Sequence, residues 1–435
     1  MKIMVIGTFD VDNYGDCLFP DILKNELQRR IDNCELHLYS PTCKVAKIGN
    51  YNKVYELPGT IEECEKLEYD ASILAGGEVL NSGHNPKGIY CFIKPMTMSA
   101  GMRLWMTPSI LKAKKGTPYA INGVGVGSFD NEIAKGLESS IDYADYKSLR
   151  DDNSLKKLMD AHIKPNISIN TDSAFLLPNL HSTKEWENIA KQHLPEGIIP
   201  YSYIVVQGRL QYLKNNFEIW CQSIKKISES SGYPILLLPI CLHHSDHIGV
   251  KKIYKKLQKL RIETYKIEQF LKTDVTAAII ACSNGYCGTS LHGSITAVAF
   301  EKPLAVFAQL GGKYDGVLEN IGIKNCVTDN FEKLPKCFDI SSKLDRTIPA
   351  QKGKAMASKA FDNIANIFNT KPNKNKINND KWDNMVNAIN FDQSYYKNTK
   401  FSYQLRFFFM LIRGSKMLNG IYDNFSAWKN KSWKY

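Results

Sequence analysis

The sequence predicts an α/β fold of two doubly wound halves facing a cleft, followed by a basic C-terminal extension. Three observations predict it. Short apolar runs that read as buried strands alternate with helix-period segments through most of the chain. The alternation stops in a polar connector, Pro178 to Pro200, and then restarts. From Asp345 to Tyr435 there are 16 Lys/Arg against 6 Asp, a net of +10 out of the chain's +12, so the body is nearly neutral and the extension is the basic part.

In the first half, Lys2 to Phe9 is expected to be a buried strand and Asp10 to Asp16 a turn-rich loop. Pro20 to Ile31 follows the helical period, with Leu or Ile at 22, 23, 27 and 31. Glu35 to Tyr39, Ser72 to Ala75, Tyr119 to Val126 and Asp145 to Leu149 read as strands, Asp151 to Asp160 as a helix. The half closes near Thr171 to Leu177. The second half reads as strand (Tyr203 to Gln207), helix (Phe217 to Ser230), strand (Pro234 to Pro239) and helix (Ile248 to Leu260). The stretch that follows reads as a strand from Val275 to Ala281, a Gly-rich turn, a helix at Ile295 to Phe300 stopped by Pro303, and a strand at Leu304 to Phe307. The expected division is therefore 1–180, 200–345, and a linker with amphipathic tail at 346–435. This is a pair of Rossmann-like domains, with ligands at the C-terminal ends of the strands. Glycosyltransferases of the two-Rossmann-domain type (a glycosyltransferase-B-like arrangement) share it, so the fold leaves function open.

Composition excludes several classes. No apolar run approaches the ~20 residues of a membrane span, and the N-terminus enters a strand at once, unlike a signal peptide. The eleven cysteines form no C-x-x-C pair, which favours reduced thiols, a cytoplasmic protein and no metal. A basic tail on a neutral body is not the footprint of a nucleic-acid enzyme. It suits an anionic membrane surface at the inner face of the membrane, with Phe401 to Leu418 lying in the interface. The competing reading of that segment is a helix docked on the body.

Candidate chemistry sits at strand ends. Ser290-Leu291-His292-Gly293 opens a helix, whose N-terminus favours an anion. The same dipole disfavours an imidazolium at His292, so a neutral ring beside an anion is expected. Lys313, after Gly311-Gly312, brings a flexible cation to that site. Arg150, placed unfavourably at the start of a helix, reads as a carboxylate or phosphate contact or a salt bridge, and Arg209 at a strand end as an anion clamp or a surface arginine. Asn13 and Asp16 could hold a sugar hydroxyl, Asp16 taking its proton, or simply form a turn. Gly76-Gly77-Glu78 and Gly123 to Gly127 are glycine loops without a dinucleotide fingerprint, where tight packing and ligand contact compete. His243, His244, Asp246 and His247 invite a metal reading, but a helix cap at Ser245 or Asp246 is favoured.

Taken together, Asn13-x-Gly15-Asp16, Gly76-Gly77-Glu78, Arg150-Asp151-x-x-Ser154, Asp172-x-Ala174-Phe175, Ser290-Leu291-His292-Gly293, Glu301-Lys302-Pro303 and Lys313 resemble, in order, the motifs of polysaccharide pyruvyl transferases. The resemblance implies transfer of pyruvate from phosphoenolpyruvate, a co-substrate rather than a bound cofactor, to two hydroxyls of a sugar as a ketal. The sugar would belong to a surface or exopolysaccharide precursor, lipid-linked acceptors included. It implies donor contacts from Ser290, Leu291, Gly293, Lys313, Arg209 and Arg150, catalytic roles for His292, Asp16 and Asp172, and acceptor contacts from Asn13, Gly77 and Glu78. Well-studied members have Arg where this chain has Ser290, so the donor needs another cation. Two rival readings are a nucleotide-sugar glycosyltransferase, with Glu301 as its ribose contact, and a non-catalytic partner in polysaccharide assembly.

Overall fold

The structure, a computed structural model, describes residues 1–82, 97–241, 246–308, 313–370 and 378–395, the side chains of 313–315 excepted. In the N-terminal half, β1 (Lys2–Ile6), β2 (Glu35–Ser40), β3 (Tyr55–Glu56), β4 (Ala71–Ala75), β5 (Tyr119–Val124), β6 (Tyr146–Leu149) and β7 (Ser168–Ile169) form one sheet. In the C-terminal half, β8 (Ile204–Gln207), β9 (Ile235–Leu237), β10 (Thr264–Lys266), β11 (Tyr286–Gly288), β12 (Leu304–Phe307) and β13 (Val327–Thr328) form another. The strand orders are β3-β2-β1-β4-β5-β6-β7 and β10-β9-β8-β11-β12-β13. All these pairings are parallel. The expected two Rossmann-like halves are present.

Central strands such as Ala71–Ala75 are apolar on both faces because helices cover both. One apolar core runs from Val5 and Phe19 of the first half through Phe175 to Ile295 and Val306 of the second. Each sheet reverses its winding once, between β1 and β4 and between β8 and β11. The loops after those four strands are where a doubly wound sheet presents its ligand groups.

Several local expectations are corrected. Val275 to Ala281 is not a strand: Thr273–Ala281 is a helix, and the strand is the three-residue β11. A short apolar run buried on all sides carries no period to separate the two. Consequently Cys282 caps a helix, while Cys287 lies in a strand. The helix expected from Pro20 begins at Tyr14 and ends at Gln28, so Asn13 to Asp16 is a helix start rather than a free loop. Asp172 does not end a strand; it caps the 3-10 helix Ser173–Asn179, accepting from the Ala174 N–H at 2.9 Å. Helix Ala100–Lys115 had no legible signal, being buried around nearly its whole circumference.

The segment read as linker and tail begins with a 23-residue helix, Thr347–Asn369. It buries Ala357, Phe361, Ile364 and Phe368 in the shared core. Arg30 clamps it, donating to Asp362 at 2.7 Å and to Ser358 at 2.8 Å while pairing with Glu26 at 2.6 Å. A further helical stretch, 379–395, lays Met385, Ala388 and Ile389 on the other face of the first sheet. Its Asp392 accepts from the Ser99 N–H at 2.6 Å. Most of Lys371 to Asp380 and all of Phe401 to Leu418 lie outside the described residues. No helix among the described residues is long and apolar enough to cross a membrane.

Candidate active site

The loops after β1, β4 and β11 converge on His292. The helix Tyr14–Gln28 follows β1, and helix Leu291–Ala299 follows β11. Gly15 and the His292 ring are in direct contact: a Cβ on Gly15 would stand 1.9 Å from Nδ1. On another side Phe19 meets the imidazole edge-on at 5.7 Å between centroids. Gly76, with φ +50°, admits the Phe19 ring, which a Cβ would meet at 2.1 Å. Gly15 and Gly76 are therefore explained by close packing around the His292 and Phe19 rings. Gly77 adjoins Asp16, whose carboxylate accepts from Asn13 Nδ2 at 2.6 Å. This pair stands at the first turn of the helix, where an acidic residue suits the dipole.

Behind His292 lies a buried charge cluster. His292 Nε2 is 3.3 Å from Asp172 Oδ2, and Arg150 Nη1 is 3.8 Å from the same oxygen. Arg150 Nε donates to Asp151 Oδ2 at 3.2 Å, and Asp151 caps the helix Asp152–Asp160 through the Ser154 N–H. Arg150 is 2% and Asp172 0% exposed, whereas His292 keeps 12%. Only the imidazole of the three reaches the cleft. Arg150 Nη2, Asp172 Oδ2 and His292 Nε2 make no aligned hydrogen bond. Burial pushes the Asp172 carboxyl up, but the His292 ring and the Arg150 guanidinium outweigh it and hold it below its ordinary value. Burial likewise pushes Arg150 down, and Asp151, Glu78 and Asp172 overcompensate. Gly125 makes room for Arg150, whose Nη2 a Cβ would meet at 2.8 Å.

On the second half, the Ser290 hydroxyl caps helix Leu291–Ala299, accepting from the Gly293 N–H at 3.3 Å. Leu291 is buried, and Gly293 packs against the Tyr286 ring. The Thr289 N–H donates to Gln207 Oε1 at 3.0 Å, tying this turn to the end of β8.

The structure thus sets Asp172 against the His292 ring with Arg150 behind it, and places Asn13, Asp16 and Gly77 together at the helix start that brings Gly15 to that ring. Two others have different partners. The Arg209 guanidinium donates to Gln211 at 2.8 Å and lies over Tyr212, and Glu78 pairs with Lys157 at 3.6 Å while its charge also acts on Arg150. The Lys313 side chain, Gly311, Gly312, His243, His244 and Ser245 lie outside the description. The helix Lys313–Asn320 nevertheless crosses to the first half, where Gly316 abuts Asp151. Asp246 opens helix Asp246–Lys259, but its carboxylate serves the backbone of the preceding strap, Ile240 and Cys241. Among the described residues no three His, Cys, Asp or Glu side chains are grouped to hold a metal. Sequence reasoning missed Phe19, Gln207 and the cross-half role of Gly15, because their partners are remote in the chain: 39 and 82 residues away for Gln207, and His292 for Phe19 and Gly15.

A sequence model of polysaccharide pyruvyl transferases matches residues 13–309, a span from the Asn13 turn past His292 to the end of β12. The chain belongs to the polysaccharide pyruvyl transferase family. Membership makes it a transferase. No curated protein matches the sequence significantly. Among solved structures it is similar to UDP-GlcNAc 2-epimerase from Methanocaldococcus jannaschii, with TM-score 0.54 and 14% identity over 82% of this chain and 98% of that one. The same enzyme in complex with UDP-GlcNAc and UDP gives 0.52 and 15%, over 84% and 99%. At such identity the family and these enzymes have in common a two-Rossmann, glycosyltransferase-B-like fold, and no more is carried over.

Proposed function

We propose that the protein transfers pyruvate from phosphoenolpyruvate to a hydroxyl pair of a sugar in a surface or exopolysaccharide precursor. The observation that carries the reading is the His292 ring, backed by buried Asp172 and Arg150 and itself still 12% exposed. Ketal formation needs a proton delivered to the enol methylene and one removed from an attacking hydroxyl. His292 is the acid toward the methylene; Asp16, oriented by Asn13, is the base on the acceptor side. The first sugar oxygen bonds to C2 as the methylene becomes methyl, the C2–O bond to phosphate breaks, and the second oxygen takes its place. Of the two hydroxyl protons, one ends on the methyl group and one on phosphate.

Asp172 and Arg150 are too deeply buried to touch either substrate, so they position and polarise the imidazole. Donor charge then falls to the N-terminus of helix Leu291–Ala299, the Ser290 hydroxyl and Gly293 at its start, Lys313 and Arg209. A nucleotide-sugar donor is less well supported. Glu301 lies past the far end of that helix, about 15 Å along its axis from the N-terminus, and its carbonyl is held by Arg346. A purely scaffolding role leaves the buried charges without a purpose that offsets their desolvation. The basic segment beyond the described residues suits an acceptor carried on an anionic membrane.

The test is phosphate release from phosphoenolpyruvate with lipid-linked or nucleotide-linked sugars, for wild type and His292→Ala. Acceptor-dependent release that is lost in the variant supports the proposal. If phosphoenolpyruvate neither reacts nor shifts the melting temperature while a nucleotide sugar does, the glycosyltransferase reading replaces it.

A further inference from the structure

A second buried carboxylate stands beneath the donor side, outside the cluster just described. Asp246 is 3% exposed. A single oxygen, Oδ2, accepts three hydrogen bonds: from Gln207 Nε2 at 2.9 Å, from the Ile240 N–H at 3.2 Å and from the Cys241 N–H at 2.9 Å. The other oxygen, Oδ1, is buried and has no hydrogen-bond partner among the described residues.

Two chains of contacts leave that oxygen and meet again at His292. Along the first, the Gln207 amide is fixed by its bond to Asp246, so its Oε1 is presented to the Thr289 N–H at 3.0 Å and hydroxyl at 3.2 Å. Thr289 precedes Ser290, the cap of the helix that carries His292. Along the second, Ile240 and Cys241 form a strap across to the first half. The Ile240 carbonyl accepts from the Tyr14 N–H at 3.3 Å, and Cys241 forms an antiparallel bridge with Asn13. The next residue, Gly15, is the one against the imidazole. The ring is thus gripped between two elements that share one acceptor atom.

We propose that Asp246 is a positioning residue that sets the His292 ring against Gly15 by holding the Gln207–Thr289 turn and the Ile240–Cys241 strap at a common oxygen. All three donors go to one atom, so the requirement is an acceptor of the right shape rather than a charge. Burial pushes the Asp246 carboxyl up, in keeping with that role. An asparagine could place its carbonyl oxygen where Oδ2 stands and leave its amide at the Oδ1 position. An alanine would leave two backbone N–H groups and the Gln207 amide without their acceptor.

The test uses the full chain with Asp246→Ala and Asp246→Asn, read in two ways. Amide hydrogen exchange on peptides containing Tyr14 and Thr289 does not depend on knowing the substrate. Faster exchange at both in Asp246→Ala, restored toward wild type in Asp246→Asn, is expected. In the phosphate-release assay, kcat should fall on the order of 10- to 100-fold in Asp246→Ala with a smaller change in KM, and Asp246→Asn should recover most of it. Unchanged exchange in Asp246→Ala overturns the proposal, as does an Asp246→Asn variant as impaired as the alanine. Wild-type protein inactive on phosphoenolpyruvate but showing the exchange pattern would sink the donor assignment and leave this inference standing. Should Asp246→Ala not fold, the asparagine variant alone decides: wild-type-like exchange upholds the proposal and faster exchange rejects it.

Discussion

Gly15 and His292 lie 277 positions apart in the chain, yet a methyl group on the glycine would stand 1.9 Å from Nδ1 of the imidazole. The contact joins the two halves at the residue assigned the chemistry. It also gives the glycine a reason to exist inside a helix, where it costs about 1 kcal/mol relative to alanine.

Gly15→Ala should therefore displace the ring. Overpacking of this kind costs about 1–3 kcal/mol, and a shift of about 1 Å at a reacting group lowers turnover on the order of 100-fold. The expected outcome is a variant that melts as one transition, a little below wild type, with kcat severely reduced. Full activity would mean that the imidazole tolerates movement and is not the acid.

Asp172 makes a prediction about acid. Its carboxyl is held below the ordinary value of 3.8 by His292 and Arg150 despite burial. A folded value below the unfolded one contributes stability that is fully present above about pH 4 and is lost as pH falls through the folded value. Asp172→Asn should thus lower stability at neutral pH by roughly 3 kcal/mol, because the buried carboxylate facing both Arg150 and His292 is lost. The gap in melting temperature should narrow below about pH 4. A gap of constant size down to pH 3 would count against the ion-pair account.

Tyr14 and Thr296 test the seam between the halves. Their hydroxyls are 2.8 Å apart and buried, and Thr296 in turn donates to the His292 carbonyl at 2.7 Å. In a double-mutant cycle of Tyr14→Phe and Thr296→Val, chemical denaturation should return a coupling of about 1 kcal/mol. Additivity would indicate that the seam is not held at this point.

The extension can be probed at Phe361, which is fully buried against the shared core. Phe361→Ala should destabilise by about 3–5 kcal/mol, while Lys354→Ala on the exposed side of the same helix should leave the melting temperature nearly unchanged. Equal effects would return the helix to the status of a loosely attached tail.

Much of this was legible in the chain. Apolar runs such as Ile3 to Ile6 and Ile73 to Ala75 announce parallel strands because a sheet covered on both faces needs no polar alternation. The motifs at Asn13, Gly76 and Arg150 could be placed at strand ends for the same reason, whereas Asp172 caps a 3-10 helix and the strand before His292 was misplaced. Illegible were Thr273–Ala281 and Ala100–Lys115, helices buried on all sides and therefore without a period. So was the helix Thr347–Asn369, whose apolar face lies among abundant lysines and alanines.

By itself the sequence determined the class of fold, the two halves and the residues that carry charge and flexibility at the strand ends, because these follow from local pattern. Which of them meet was decided only by tertiary structure. Burial separates His292, which reaches the cleft, from Asp172 and Arg150, which cannot, and no local pattern encodes that difference. It arises from packing one half against the other, where a missing Cβ at Gly15 and one oxygen of Asp246 fix where the ring can lie.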